Sequence, residues 1–213
     1  MSVGGAGIGA AFALGFALGA APGPVQVLIL SETAKRGLEG GLRVMLGANL
    51  TLFCVLVVLA LGFASFGPGP GVIRNLQVVG GLFLVWIGEV EFDSIRVEAR
   101  ASVGGPARVA AGRLGPTAKG VASVIFNPGA WIFFATTASA LMANAASAGG
   151  TGAALAAAVA MAIGVSCSDL TFTILGSGGR RLFGERGLRW IRMGLAAVLV
   201  VIGAAFVLQG IRR

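Results

Sequence analysis

The sequence predicts an all-α integral membrane protein: six transmembrane helices arranged as an inverted repeat of two three-helix halves, with the first helix of each half broken. Three observations carry this expectation. The 213 residues are 56% hydrophobic and only 11% charged, with a mean hydropathy of +0.93, far from the averages of soluble domains. Uncharged runs cover residues 1–31, 44–73, 120–168 and 193–211. Prolines fall inside the predicted spans at two places only, and the two places correspond.

The first span occupies the run 1–31 and contains the breaker Pro22-Gly23-Pro24. It is read as a retained helix and not a cleaved signal, because a signal opens on positive charge and these residues hold no Lys or Arg. The second span lies in 44–73. The third, weaker in hydropathy, runs from Gly71 to Glu91, with Arg74 and Glu89 near opposite ends where they can snorkel to the interfaces. A mixed-charge segment with Pro106 and Pro116 follows as a solvated linker over 92–119. A crossing needs about 20 residues, so the run 120–168 holds two, folded at the glycine-rich "NAASAGGTG" of 144–152. The run 193–211 is the sixth span. The chain therefore divides into a first repeat (1–91), the linker (92–119) and a second repeat (120–213). Three crossings per half give the halves opposite orientations.

Charge sets the sidedness. Thirteen of the sixteen Lys and Arg fall in loops one, three and five: Lys35, Arg36 and Arg43; Arg96, Arg100, Arg108, Arg113 and Lys119; Arg180, Arg181, Arg186, Arg189 and Arg192. Positive residues mark the cytoplasmic side, which places both termini outside and the chain in the cytoplasmic membrane. The net charge of +8 thus has a topological meaning, and no nucleic-acid partner is expected.

The breaks point to function. Proline removes an amide donor and clashes with the carbonyl one turn back, leaving polar groups unpaired where no water can reach them. Discontinuous helices at matching positions of two halves mark a transporter binding site near the midplane. Pro22, Gly23 and Pro24 interrupt the first half, and Asn127, Pro128 and Gly129 the second. Half-helix amino ends beginning near Pro24 and Pro128 offer free amides to a substrate carboxylate, and Gln26 and Asn127 adjust the pocket. Asp169 is the sole acid well inside a span, with no Lys or Arg sharing that span, which makes it the candidate for proton coupling. Holding a substrate ammonium or bonding a neighbouring helix are its other readings. Glu32, Glu39, Glu89 and Glu91 fall near predicted cytoplasmic ends and are read as solvated or snorkelling. Asn49 of "NLTL" and Asp169 of "DLTF" do not mirror each other in depth as repeat partners would, but can line one inward-facing cavity. Gly15 and Gly19 have the spacing of close helix packing. Trp190 reads as an interfacial anchor, Trp131 as lining a cavity or touching lipid, and Cys54 and Cys167 as small buried apolar groups.

The order "PGP" at 22–24, then Ser31, Gly37, Gly40, Gly41 and Gly47, then "LQVVGGLFLVWIG" at 76–88, resembles the lysine exporter (LysE-type) translocators of bacteria. "FNPGAWIFF" at 126–134 and "RWIRMGLAAVLVVIGAAFVLQGIR" at 189–212 are similar to that family's fourth and last helices. The resemblance implies a six-helix exporter of amino acids or related small metabolites, driven by the proton motive force. The family often places Asn after "PGP" and Lys after "NP"; this chain has Val25 and Gly129 there, and the substrate stays open.

Two rivals follow from other classes. A membrane thiol-disulfide reductant of the cytochrome c maturation type shares the small inverted-repeat plan, but its chemistry needs a cysteine beside each break, and these breaks have none. A metal cation exporter would have to build its site from Asp169, two cysteines and neutral oxygens, with no His in the chain. No phosphate-cradling loop is present. The expectation is a transporter and not an enzyme, with no catalytic residues, no resident metal and no cofactor. Its partners are a small-molecule substrate and the lipid bilayer, with homo-oligomerisation left open.

Overall fold

The computed structural model describes residues 3–21, 23–62, 70–101 and 114–212, and every regular element in them is helical. α1 (Val3–Ala20) and α2 (Pro24–Arg36) meet at the first break with a change of direction of 63°. Gly37, at φ 74°, then turns the chain into α3 (Leu38–Ala60), a left-handed backbone position that glycine takes without strain. α4 (Pro70–Ala101) runs on through residues expected in the linker. α5 (Pro116–Ile125) starts on a proline whose fixed φ suits the first helical turn. α6 (Pro128–Phe133) continues through a π-helical turn (Phe134–Ala138) into α7 (Ser139–Arg212). Within α7 the backbone leaves helical geometry at Gly149, at Gly150 (φ 69°) and again at Gly184 (φ 60°), which makes three limbs: 139–148, 151–183 and 185–212. The first of these breaks falls within the expected 144–152 turn.

Among the described residues, three stretches are long and apolar enough to cross a membrane: Leu38–Ala60, Pro128–Gly178 and Arg186–Arg212. Counting the bent pair of α1 and α2 as one span makes up to four.

Glycine sets how closely the helices approach, since lipid supplies no hydrophobic drive between them and packing must do so. A methyl group on Gly15 of α1 would lie 2.1 Å from the Met161 carbonyl oxygen of the middle limb, and one on Gly164 would lie 2.2 Å from that of Phe12. Gly19 continues the seam against Ser168, as its spacing from Gly15 suggests. α3 and α5 meet in the same way, Gly47 facing the Thr117 carbonyl and Gly120 that of Val44, each at 2.1 Å. α4 and the last limb cross at Gly81 and Gly203, where a methyl on either would lie 2.5 Å from the other's carbonyl oxygen.

At the end of the bundle carrying loop one, charges are inside. Glu32 of α2 is 1% exposed and pairs with Lys119 of α5 and with Arg36, whose Nε lies 2.9 Å away. Glu91 of α4 is 3% exposed; Arg192 of the last limb lies 2.7 Å from it and Lys35 of α2 3.3 Å. Lys35 and Arg192 also donate to Ser94. This corrects the expectation that Glu32 and Glu91 are solvated and that Lys119 and Arg192 belong to loops. Four elements converge there, so each carboxylate finds at least one cation on another helix and is buried with its charge compensated. Glu39 and Glu89 are exposed, as expected.

Glu91→Gln removes the carboxylate that Lys35 and Arg192 share, so it should lower stability by about 3–5 kcal/mol, the usual scale for breaking a buried pair. Glu39→Gln breaks only an exposed pair with Arg43 and should cost at most about 1 kcal/mol. Thermal melts of the purified variants in one detergent compare them. Equal midpoints would refute the structural weight given to the buried group.

Candidate functional site

Each break leaves carbonyls at the end of one half-helix and amides at the start of the next. At the first, Gly23 is extended (φ −158°, ψ −176°) and α2 opens on Pro24. The side chain of Gln26, one position past Val25 in that first turn, folds back: its Nε2 donates to the Gly19 carbonyl at 2.9 Å. At the second, the Trp131 Nε1 donates to the Ile125 carbonyl at 2.7 Å, so this indole patches a freed backbone oxygen.

The amino ends differ. Asn127 caps α6, its Oδ1 accepting from the amides of Gly129 (3.0 Å) and Ala130 (3.4 Å). The amides expected to be free near Pro128 are therefore occupied. Gly23 has no side chain to do the same for α2, and no side chain caps that turn.

Both breaks open on one cavity of about 260 Å3. Of the residues singled out from the sequence, Gly23, Pro24, Gln26, Asn49, Asn127, Gly129 and Asp169 line it. Pro128 is buried at the second break behind the lining, and Pro22 lies outside the described residues. Asn49 arrives on α3 and Asp169 on the middle limb of α7, so the two polar residues with similar tetrapeptides do share a cavity. Asn49 donates its Nδ2 to Ser166 Oγ at 3.2 Å. Asp169 is 0% exposed; its Oδ1 receives Gln26 Nε2 at 3.4 Å, and its Oδ2 has no hydrogen-bond partner among the described residues.

Asp169 is the only ionisable residue of the lining among the described residues. The rest of the wall is largely apolar, with Leu18, Leu52, Val124, Phe134, Val165 and Phe206 contributing. These were missed because an apolar residue in an apolar span carries no signal of which side it faces. The π-helical turn that presents Phe134 was missed as well. Its only trace in the sequence is the hydroxyl run Thr136, Thr137 and Ser139, of which Thr136 donates to the Ile132 carbonyl and Ser139 to that of Phe134. A π turn shifts side chains around the helix and recurs at functional sites.

Cys54 and Cys167 are exposed on the bundle, not buried as expected, and neither lines the cavity. No group of three or more potential metal ligands occurs among the described residues. A small, mostly apolar cavity with one acid, three amide side chains and a helix start without a side-chain cap can bind a small solute carrying one amine and one carboxylate.

No curated protein and no solved structure matches the chain. A family model does, that of the LysE type translocators, over residues 16–210, a stretch that takes in both breaks and every cavity-lining residue. The chain belongs to the LysE type translocator family, a family of membrane transporters.

Proposed function

We propose that the protein is a secondary exporter of amino acids or related small metabolites in the cytoplasmic membrane. It crosses six times as an inverted three-plus-three repeat and exchanges its substrate for protons. The observation that carries the reading is the convergence of two broken helices, one from each half, on a cavity whose only ionisable wall residue among the described residues is Asp169.

The repeat is supported by paired contacts. A two-fold exchange that swaps Gly81 with Gly203 also swaps Gly88 with Gly210: Gly88 packs on the Ala196 carbonyl and Val200, Gly210 on the Arg74 carbonyl and Val78. The α1 crossing at Gly15 and Gly164 likewise has its counterpart in the α5 crossing at Gly120 and Gly47. Gln26 and Trp131 each follow their glycine, Gly15 or Gly120, by eleven residues, and each donates back to a carbonyl freed by its own break. Six crossings also accommodate the stretch Pro128–Gly178, whose 51 residues are about twice a span and bend at Gly149 and Gly150. The division is then 1–91, linker 92–119 and 120–213.

In this reading the substrate sits between Gly23, Pro24 and Gln26 on one side and Asn127 and Gly129 on the other, with Asn49 beside it. Alternating access moves α2, and the ion pairs of Glu32 and Glu91 hold the cytoplasmic end shut until they part.

Sidedness is tested by single cysteines in a variant lacking Cys54 and Cys167. An impermeant thiol reagent on intact cells should label loops two and four and leave one, three and five unlabelled. Labelling of loop three would invert the topology.

Pro24→Ala restores an amide at the first break and should reduce export in cells by about tenfold or more while the protein still inserts, since misplacing a binding surface by an ångström can cost a hundredfold. Normal export would make the break a simple kink.

Asp169→Asn keeps shape and removes titration. In proteoliposomes it should abolish accumulation driven by a pH gradient yet permit downhill exchange of labelled substrate. Accumulation that survives would take coupling away from Asp169.

A further inference from the structure

The cavity's charge inventory and the asymmetry of its two helix starts narrow the substrate. This step rests on the cavity being the transport site. Its wall holds one acid and no Lys or Arg, and the cations at the cytoplasmic end of α2 and in α5 are engaged with Glu32 and Glu91. Asp169, fully buried, has the neutral amides of Gln26 and Asn49 beside it but no cation, and its Oδ2 makes no close hydrogen bond among the described residues. A single positive group on a ligand would satisfy it. The uncapped first turn of α2 supplies the complement: Gly23 caps with no side chain, whereas Asn127 already fills the equivalent amides of α6.

These two features are adjacent. Gln26 belongs to the first turn of α2 and its side chain reaches Asp169 at 3.4 Å, so the amides and the carboxylate lie within one side chain of each other. That matches an ammonium and a carboxylate carried on a single carbon. Everything past that carbon meets apolar wall at Leu52, Val124, Phe134, Val165 and Phe206. The volume of about 260 Å3 sits just below the range of about 300–1,000 Å3 usual for ligand pockets, which fits a small solute.

We propose that the cavity selects zwitterionic α-amino acids with an uncharged, apolar side chain, the carboxylate resting on the α2 amides, the ammonium on Asp169 and the side chain against Leu52, Phe134 and Phe206. A dibasic amino acid would bring a second cation with no second acid to receive it, and an acidic one a second anion with no cation. Either would bury an unpaired charge, which is strongly disfavoured in a low-dielectric site.

The test is downhill exchange in proteoliposomes containing the full-length protein, with labelled L-leucine, L-methionine, L-lysine and L-glutamate offered separately. Leucine and methionine should exchange, and should be preferred to lysine and glutamate by roughly a hundredfold, as an unpaired buried charge implies. Isoamylamine, which is leucine without its carboxylate, should compete at least about tenfold more weakly than leucine if a charge-assisted contact is lost. Isoamylamine competing as well as leucine would overturn the carboxylate subsite on α2. Exchange of lysine or glutamate as fast as leucine, lost in Pro24→Ala, would overturn the selectivity while leaving the cavity as the site. Exchange of none of the four would overturn both this assignment and the amino-acid exporter reading.

Discussion

A backbone polar group in a bilayer core must be bonded inside the protein or face a cavity, and the structure is organised around the two places where proline makes that hard. Each break frees carbonyls behind it and amides ahead of it. The carbonyls are answered in one way at both: a polar tip on the second half-helix folds back, Gln26 to Gly19 and Trp131 to Ile125. The amides are answered differently. Asn127 absorbs those of α6, while the start of α2 keeps its hydrogen-bonding capacity. Two breaks that look alike in sequence thus have different chemistry, one closed by its own side chain and one with no side-chain cap.

Holding the breaks together takes close helix contact, and part of the chain's glycine serves it. At Gly15, Gly47, Gly81, Gly120, Gly164 and Gly203 a methyl would lie between 2.1 and 2.5 Å from a carbonyl oxygen on the facing helix, closer than any side chain can approach. Such seams leave room for weak Cα–H contacts to carbonyls. They also fix the crossings that bring α2, α3, α6 and the middle limb of α7 around one space. The ion pairs at the other end of α2 act on the same helix. α2 is short, carries Pro24 and Gln26 at one end and Glu32 and Lys35 at the other, and therefore links the cavity mechanically to the buried charges.

What the sequence discloses and conceals follows from what a membrane span can encode. Helical class and the breaks are legible because uncharged runs and prolines are strong local signals. Seven cavity-lining residues were within reach because polarity or a breaker stands out against an apolar background: Gly23, Pro24, Gln26, Asn49, Asn127, Gly129 and Asp169. The apolar wall was not, since Leu52, Val165 and Phe206 do not differ in kind from lipid-facing neighbours. Burial of Glu32, Glu91, Lys119 and Arg192 was hidden for another reason. A charge near a predicted helix end reads as solvated, and only the packing of α2, α4, α5 and the last limb shows that it has partners from distant parts of the chain. The end of α4 was also illegible, because a helix that leaves the membrane carries charge and looks like linker.

One acid among the described residues of the wall would constrain the exchange proposed for this transporter. A carboxyl that alternately takes a proton and a substrate ammonium cannot hold both, because each occupies the same negative charge and the wall offers no second one. Occupancy by either would satisfy Asp169, while an empty ionised state leaves a buried anion with only the amide side chains of Gln26 and Asn49 to face it among the described residues. Moving the bare anion across the closed intermediate is then the disfavoured step. Under the proposed proton exchange, this competition would make the exchange obligatory without a separate site for the coupling ion and would tie one proton to one substrate. Gln26 serves both occupants: its amide bridges the Gly19 carbonyl and Asp169, so a change in what Asp169 holds is felt at the bend between α1 and α2. The bend, the acid and the ion pairs at the far end of α2 therefore lie along one short helix, the path by which binding would reach the charged end in the proposed transport cycle.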